Sequence, residues 1–343
     1  MKVVAMCNFG WPLNKEGYER LGAEYIEIPA QTESEIIEAT SDADAVFAPL
    51  EPHSRKVIEH MRKCRIISVA GIGYDYVDVD AATEYGICVS NVPGYCVEEV
   101  SDHAMALLIC CARKIQAQVN LVREGKWDTM VCTKILANVK PIFRLRGETL
   151  GIVGLGNIGR ALVPKARGFG IKVIAYDPYI ALNVAKEMEV ELVELDELLA
   201  RADFISLHMP LTNENRHMFG LEQFKKMKPS AILINTARGG LVDESALYTA
   251  LTKGDIAGAG LDAIEREPID PDNPLLKLDN VLVTPHSAFY SEQSHTEVLR
   301  RAEEEVFRVL SGGWPQNFVN PRVKENYVRR WGKLNEGNSR NGE

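Results

Sequence analysis

Thr149 to Asp177 reads TLGIVGLGNIGRALVPKARGFGIKVIAYD and contains the spacing Gly154-x-Gly156-x-x-Gly159. These residue types suit one task, holding the pyrophosphate of a dinucleotide. Gly154 permits a tight turn, Gly156 lets backbone approach the phosphates, and Gly159 lets a helix pack close to its strand. A helix starting at this loop offers free N–H groups and positive potential to an anion. An apolar run, Leu150 to Val153, precedes the loop and reads as a buried parallel strand. A helical stripe of Ile158, Leu162, Val163 and Ala166 follows, then a second strand, Val173 to Tyr176, ending in Asp177. A carboxylate there accepts hydrogen bonds from the ribose hydroxyls and repels a 2′-phosphate, so NAD is expected rather than NADP. A glycine triplet alone is a weak signal. Strand, glycines, helix, second strand and acid in this order make it a strong one.

The elements that must position this loop follow from hydrophobic period. Val3–Cys7, Tyr25–Ile28, Ala45–Pro49, Arg65–Ala70 and Ile87–Asn91 read as strands, with amphipathic stretches such as Ser54–Lys63 and Val79–Tyr85 between them. That is a doubly wound α/β unit of its own, without a glycine fingerprint. Val100, Ala104, Leu107, Leu108, Cys111, Ile115 and Val122 then fall at helical spacing and predict one long, mostly buried helix. A looser segment, Thr129–Gly147, leads to the fingerprint. Beyond it, strands are expected at Leu192–Val193, Phe204–His208, Ala231–Ala237, Ala257–Asp262 and Val281–Thr284. His208, just after one of them, is a candidate to line the cofactor crevice. A second long helix, Ser291–Ser311, carries Val298, Ala302, Val306 and Val309 on one stripe and stops at Gly312-Gly313. Two long helices bracketing the nucleotide unit imply an insertion. The chain leaves the first domain along one helix and returns along the other. The expected architecture is two doubly wound, Rossmann/flavodoxin-like α/β domains with a deep cleft between them. Residues 1–101 and 290–330 form a discontinuous substrate-binding domain, and 102–289 the NAD-binding domain. Residues 331–343 are a polar tail, and the whole stretch from Val323 on is charged enough to expect little order.

Composition agrees with a soluble enzyme. The chain has 343 residues, 46% hydrophobic and 25% charged, which allows two ordinary globular domains. A net charge of −9 does not favour a nucleic-acid surface. The apolar stretch Ala104–Ala112 is too short to cross a bilayer, and the N-terminus carries no secretory pattern. Seven cysteines in irregular spacing, none in a CxxC pair, read as reduced thiols in a cytoplasmic protein, with no metal site.

GLGNIG, NTARGGLVDESAL, GAGLDAIEREP and VTPHSAFYSEQS together resemble the D-isomer-specific 2-hydroxyacid dehydrogenases, and the resemblance runs from about Val3 to Val319. RGETLGIVGLG, YDPY and PHSAFYSEQS are most similar to the subgroup that includes the C-terminal binding proteins, NAD-sensing corepressors. The resemblance implies a catalytic triad of Arg238, Glu267 and His286. The chemistry asks for the same types. A guanidinium forks onto a 2-oxoacid carboxylate and polarises the carbonyl oxygen. An imidazolium supplies the proton that the nascent alkoxide needs, and a carboxylate beside it favours its charged form. By resemblance, Asn157 and Ile158 join the glycines at the pyrophosphate, Thr236 and Ala237 line the cofactor, and Asp262 holds the nicotinamide carboxamide. The SVAGIGYD loop is similar to the family's substrate loop, which implies that Ile72 and Gly73 N–H groups bind the carboxylate, with Tyr74 beside them. Tyr95, Trp11 and Phe289 join Tyr74 as candidates for the wall that selects the side chain; Phe289 stands where the corepressors are expected to have tryptophan. Of the remaining histidines, His103 sits in the long helix, and His53, His60, His217 and His295 read as structural or solvent-facing.

The expected function is therefore an NAD-dependent D-2-hydroxyacid dehydrogenase or 2-oxoacid reductase. Its partners are a small 2-oxo or 2-hydroxy acid and, by resemblance, a second copy of the chain, with Gln116–Gly147 crossing between them. The alternatives are an NAD(H)-sensing corepressor-like binding protein and a short-form phosphoglycerate dehydrogenase. A formate dehydrogenase is disfavoured because those enzymes place glutamine where Glu267 stands.

Overall fold

A computed structural model of the chain describes residues 1–6, 9–10, 14–48, 51–127, 139 and 141–333. The chain divides into two compact units, Met1–Tyr95 with Ser291–Glu343, and Cys96–Tyr290.

In the first unit five parallel strands are β1 (Lys2–Ala5), β2 (Glu24–Glu27), β3 (Ala45–Ala48), β4 (Ile66–Val69) and β5 (Cys88–Ser90). They lie in the order β2-β1-β3-β4-β5, the flavodoxin-like order. β3 and β4 are buried along their whole length, as apolar runs must be when helices cover both faces of a sheet. The helix Glu292–Leu310 lies on this sheet through Val298, Ala302 and Val306, all fully buried, and Ser68 in β4 donates its hydroxyl to the Ala302 carbonyl at 3.0 Å. Beyond that helix the chain covers the open edge of β5. Val319 N–H donates to Val89 O at 2.9 Å, and Asn320 Oδ1 accepts from Val89 N–H at 2.8 Å.

The stretch from Val323 is more ordered than its charge predicts. Lys324–Trp331 is a helix with Tyr327 fully buried. The guanidiniums of Arg65 and Arg330 stand 5.7 Å and 4.4 Å from the Trp331 ring centroid. Arg330 also donates to the carbonyls of Tyr85, Met61 and Arg62. Charge is a poor guide here because these side chains spend it on aromatic faces and backbone oxygens. Residues 334–343 of the expected tail lie outside the described residues.

The second unit carries seven parallel strands: β6 (Thr149–Val153), β7 (Lys172–Tyr176), β8 (Glu191–Leu192), β9 (Phe204–Leu207), β10 (Ile232–Asn235), β11 (Gly258–Leu261) and β12 (Val281–Val283). Their order is β12-β11-β10-β9-β6-β7-β8, so the winding reverses between β6 and β9, the switch point at which such sheets bind ligands. One face packs around Leu198, Phe219, Phe224 and Leu247, the other around Leu107, Leu108, Leu162 and Val163. The small residues of β11 let the helix Val97–Arg113 press on the sheet: a Cβ on Gly260 would meet Leu107 Cβ at 3.1 Å and Cys111 Sγ at 3.3 Å.

The single long helix expected from Val100 to Val122 is two helices. Lys114 takes a left-handed conformation, φ 52°, and Ile115–Arg123 leaves at a bend of 62°. Ile115 and Val122, placed by their spacing in the buried stripe, are 41% and 51% exposed. A helical period counts apolar positions and does not register one left-handed residue. The segment Thr129–Gly147 lies partly outside the described residues. Among the described residues, no single helix is long and apolar enough to cross a membrane. The five described cysteines, Cys64, Cys88, Cys96, Cys110 and Cys111, are free thiols, and Cys7 and Cys132 lie outside the described residues.

Candidate active site

The glycine loop leaves β6 at its C-terminal end, and each glycine meets a different constraint. Gly154 has φ +99° and backs onto β9, where a Cβ would stand 2.8 Å from the His208 carbonyl carbon. At Gly159 a Cβ would sit 2.2 Å from Gly154 O, inside the helix–strand contact. At Gly156 a Cβ would meet nothing within 4 Å, so this backbone faces open space. Gly156 is the N-cap of the helix Asn157–Gly168, whose first turn has no side-chain cap. Ile158 is half-buried, and Asn157 is exposed and accepts from Arg160. Uncapped N–H groups beside open space are the arrangement that takes an anion.

Asp177 follows β7 and shapes the same edge. Its Oδ2 accepts the Leu155 N–H at 2.8 Å, tying it to the glycine loop. Its Oδ1 accepts the Tyr179 and Ile180 N–H groups at 2.9 Å and 3.1 Å. Oδ2 keeps a lone pair for a further donor. His208 follows β9 and bonds Ser206 Oγ through Nε2 at 2.8 Å. Desolvation of its ring nitrogens pushes the imidazole down to about 4, so it is neutral at physiological pH although the residue as a whole is half-buried. Among the described residues, His208 Nδ1 and Thr236 Oγ1 are buried polar atoms without a partner. Two orphaned polar atoms, an open glycine backbone and an acid at the strand ends fit a bound NAD, whose polar groups would satisfy them.

Arg238, Glu267 and His286 come together at the neighbouring strands. Arg238 stands three residues beyond β10, and its Nη1 donates to Ala237 O at 2.8 Å. The turn Gly239–Leu241 that follows is pressed on the Ile264 loop so closely that a Cβ on Gly239 would lie 1.8 Å from Ile264 C. Only glycine allows that approach, and it brings the Arg238 loop to the loop bearing Glu267. Glu267 Oε2 lies 2.6 Å from His286 Nδ1, 19 residues apart in sequence, and Oε1 accepts the Ile264 N–H at 3.2 Å. Burial works to raise the Glu267 carboxyl. The hydrogen bond and charge of His286, the Ile264 N–H and the charge of Arg238 outweigh it and hold the carboxyl below its usual range. An ionised Glu267 fixes the proton on Nδ1 and leaves Nε2 to exchange protons with a ligand. Phe289 meets the His286 ring edge-on, centroids 6.5 Å apart.

Asp262 follows β11 directly and is almost fully buried. It accepts the Thr284 hydroxyl at 2.6 Å and the Ser287 and Ala288 N–H groups at 2.9 Å and 2.8 Å. Asn235 had no expected role, yet it braces the arginine: Nδ2 donates to Arg238 O at 2.9 Å, and Oδ1 accepts the Ala237 N–H at 3.0 Å. Its place at the head of the NTARGG motif is the signal that could have marked it. The second unit thus holds all the expected catalytic and cofactor residues. In the first unit, Ile72, Gly73 and Tyr74 follow β4; Asn91 Nδ2 donates to Ile72 O at 2.7 Å, and Tyr74 is 41% exposed. Tyr95 is buried, and Trp11 lies outside the described residues.

Residues 105–288 match the family model described as D-isomer specific 2-hydroxyacid dehydrogenase, NAD binding domain. The chain is 44% identical to a glyoxylate reductase of Korarchaeum cryptofilum, over 84% of this chain and 86% of that one. It is 43% identical to a D-3-phosphoglycerate dehydrogenase of Methanocaldococcus jannaschii over 88% of its own length, but spans only 56% of that relative. Among solved structures, a glyoxylate reductase from Paecilomyes thermophila superposes with a TM-score of 0.81 at 28% identity, covering 93% of this chain and 98% of the other.

Proposed function

Since the chain belongs to the D-isomer-specific 2-hydroxyacid dehydrogenase family, we propose that it reduces a short 2-oxoacid such as glyoxylate, with Arg238, Glu267 and His286 as the working groups. It is an NAD-dependent oxidoreductase acting between a 2-oxo and a 2-hydroxy acid. The observation that carries the assignment of roles is the 2.6 Å contact between His286 and an ionised Glu267.

The cofactor supplies the hydride. Gly156, Asn157, Ile158 and Gly159 would hold its pyrophosphate, and Asp177 its adenosine ribose. Thr236, Ala237 and His208 would line it, and the lone pair left on Asp262 Oδ2 would take the carboxamide. Arg238 forks onto the substrate carboxylate and polarises the carbonyl oxygen. By the resemblance, the Ile72 and Gly73 N–H groups, with Tyr74 beside them, are further candidates to bind a substrate carboxylate. His286 delivers the proton from Nε2 to that oxygen as charge develops on it, while Glu267 stabilises the imidazolium through Nδ1. Oxidation of the 2-hydroxyacid runs the proton the other way, from the hydroxyl to a neutral His286.

The test is a panel of glyoxylate, hydroxypyruvate, pyruvate and 3-phosphohydroxypyruvate with NADH, followed as loss of NADH absorbance. Turnover of the small acids supports the proposal, and preference for the phosphorylated acid moves it to phosphoglycerate dehydrogenation. Absence of turnover combined with NADH-dependent peptide association would favour the corepressor-like reading, which rests on the resemblance carried by RGETLGIVGLG, YDPY and PHSAFYSEQS. Arg238→Lys keeps the charge but loses the fork, so the best substrate should lose most of its turnover. A homodimer is part of the same proposal. Ile115, Val119, Val122 and Trp127 are exposed on and just beyond the helix Ile115–Arg123, an apolar face that a second copy would cover. Light scattering of the purified chain tests it. Free thiols fit a cytoplasmic setting.

A further inference from the structure

His286 holds a left-handed backbone, φ 50°, which is uphill for a residue with a Cβ and must be imposed by its surroundings. Asp262 ties this turn at several points. Its carbonyl shares the His286 N–H with the Thr284 carbonyl, both at 3.0 Å, and its carboxylate accepts from Thr284, Ser287 and Ala288, on both flanks of the histidine. Thr284 has one hydroxyl proton, and the 2.6 Å contact assigns it to Asp262 Oδ1. Thr284 Oγ1 must then accept from its other neighbour, His103 Nε2, at 3.0 Å. His103 therefore carries its hydrogen on Nε2, which also stands 3.5 Å from Asp262 Oδ1. It reaches this network from the helix Val97–Arg113, a separate wall of the unit.

We infer that His103 is a positioning residue for His286, acting through Thr284 and Asp262 to hold the turn that aims the proton donor. The inference rests on the dehydrogenase reading only in that His286 is the donor. The chain of hydrogen bonds runs from a helix packed on the sheet, through one hydroxyl, to the carboxylate that pins the turn. Without the Nε2 donor, Thr284 Oγ1 keeps only its bond to Asp262, and the turn loses its tie to the helix Val97–Arg113. His286 Nδ1 then no longer meets Glu267 in a single geometry, so the ring loses its fixed tautomer.

Two crossed pairs of variants separate hydrogen bonding from packing. His103→Leu keeps bulk without the donor, whereas His103→Gln places an amide N–H near the former Nε2. Thr284→Val keeps shape without the hydroxyl, whereas Thr284→Ser keeps the hydroxyl. The readouts are kcat and KM on the best 2-oxoacid, Kd for NADH by fluorescence, and a long-range proton–nitrogen NMR spectrum of the cofactor-free protein. His286→Gln assigns the His286 ring signals in that spectrum. Leu and Val should lower kcat at least about tenfold while Kd for NADH stays within about threefold. In both, the His286 ring should shift from the Nδ1–H form to mixed tautomers, and Gln and Ser should recover kcat and spectrum together. Loss that follows volume, with Val and Leu active and Ser and Gln impaired, overturns the inference, as does equal loss in all four. If the wild-type protein turns over no 2-oxoacid, the proposed function fails. The imidazole spectrum then decides this inference alone, and an unchanged spectrum in Thr284→Val overturns it.

Discussion

Gly156→Ala and Gly159→Ala should fail in opposite ways, and the contrast tests whether the glycine loop is a ligand cradle or only a tight turn. At Gly156 the backbone sits at φ −71°, ψ −162°, which alanine adopts without strain, and the new methyl meets nothing within 4 Å. The cofactor-free fold should therefore gain slightly, by roughly 0.4–1 kcal/mol, because alanine has fewer unfolded conformations to lose. On the proposed function, the same methyl would stand in the space through which a pyrophosphate reaches the N–H groups of the helix Asn157–Gly168. A phosphate oxygen must come within about 3 Å of those nitrogens to bond them. A methyl in that path should weaken NADH at least about tenfold, or ~1.4 kcal/mol. At Gly159 the added Cβ would lie 2.2 Å from Gly154 O, so helix and strand must separate. Overpacking of this kind costs about 1–3 kcal/mol, and at roughly 2–4 °C per kcal/mol for a unit of this size it should lower Tm by several degrees without any ligand. Thermal unfolding of the cofactor-free variants and NADH fluorescence titrations read the two effects separately. Wild-type NADH affinity in Gly156→Ala would refute the cradle, and so would a loss of unliganded stability as large as that of Gly159→Ala.

Other outcomes follow from the same geometry. Glu267→Gln keeps the shape and removes the charge beside His286. The alkaline limb of reductive kcat/KM should move to lower pH, and a limb that stays or moves up would exclude proton delivery by the pair. Asp177→Asn should raise the NADPH/NADH efficiency ratio at least about tenfold by removing the charge that repels a 2′-phosphate. An unchanged ratio in steady-state assays with both cofactors would take the ribose role from Asp177. His53 is fully buried, its Nδ1 donates to Glu51 O at 2.8 Å, and burial pushes its imidazole down to about 4. The unfolded chain binds that proton near pH 6.5 and the folded chain does not until about pH 4. Stability should thus be full above pH 6.5 and fall as pH drops through this window, by at most about 3–4 kcal/mol. His53→Asn keeps a donor for Glu51 O, so urea unfolding of the variant should show a flatter acid limb; an equally steep one would acquit His53.

Much of the site is local and could be read residue by residue. The three glycines do distinct work within one strand–turn–helix, and Asp177 closes that unit through the Leu155 N–H at 2.8 Å. Strands such as β3 and β4 came within a residue of their predicted ends because fully buried parallel strands are unbroken apolar runs. Resemblance pointed to Arg238, Glu267 and His286, yet nothing in their spacing tells that Gly239 must be pressed on Ile264 for their loops to meet. The missed features share a cause. Lys114 breaks a helix whose apolar period continues past it, and the Lys324–Trp331 helix lays its Arg330 on an indole and on carbonyls.

By itself the sequence determined what depends on neighbours along the chain: two doubly wound α/β units, the order of strands and helices, and a strand–glycine loop–helix followed by an acid. Tertiary structure alone decided which side chains share protons. Glu267 and His286 are paired by the ends of β11 and β12, Asn235 reaches back to Arg238, and His103 arrives from another helix to meet Thr284 and Asp262. A hydrogen bond is settled by tenths of an ångström between residues far apart in the chain, and the periodicity of apolar residues places elements no more finely than a turn or a strand.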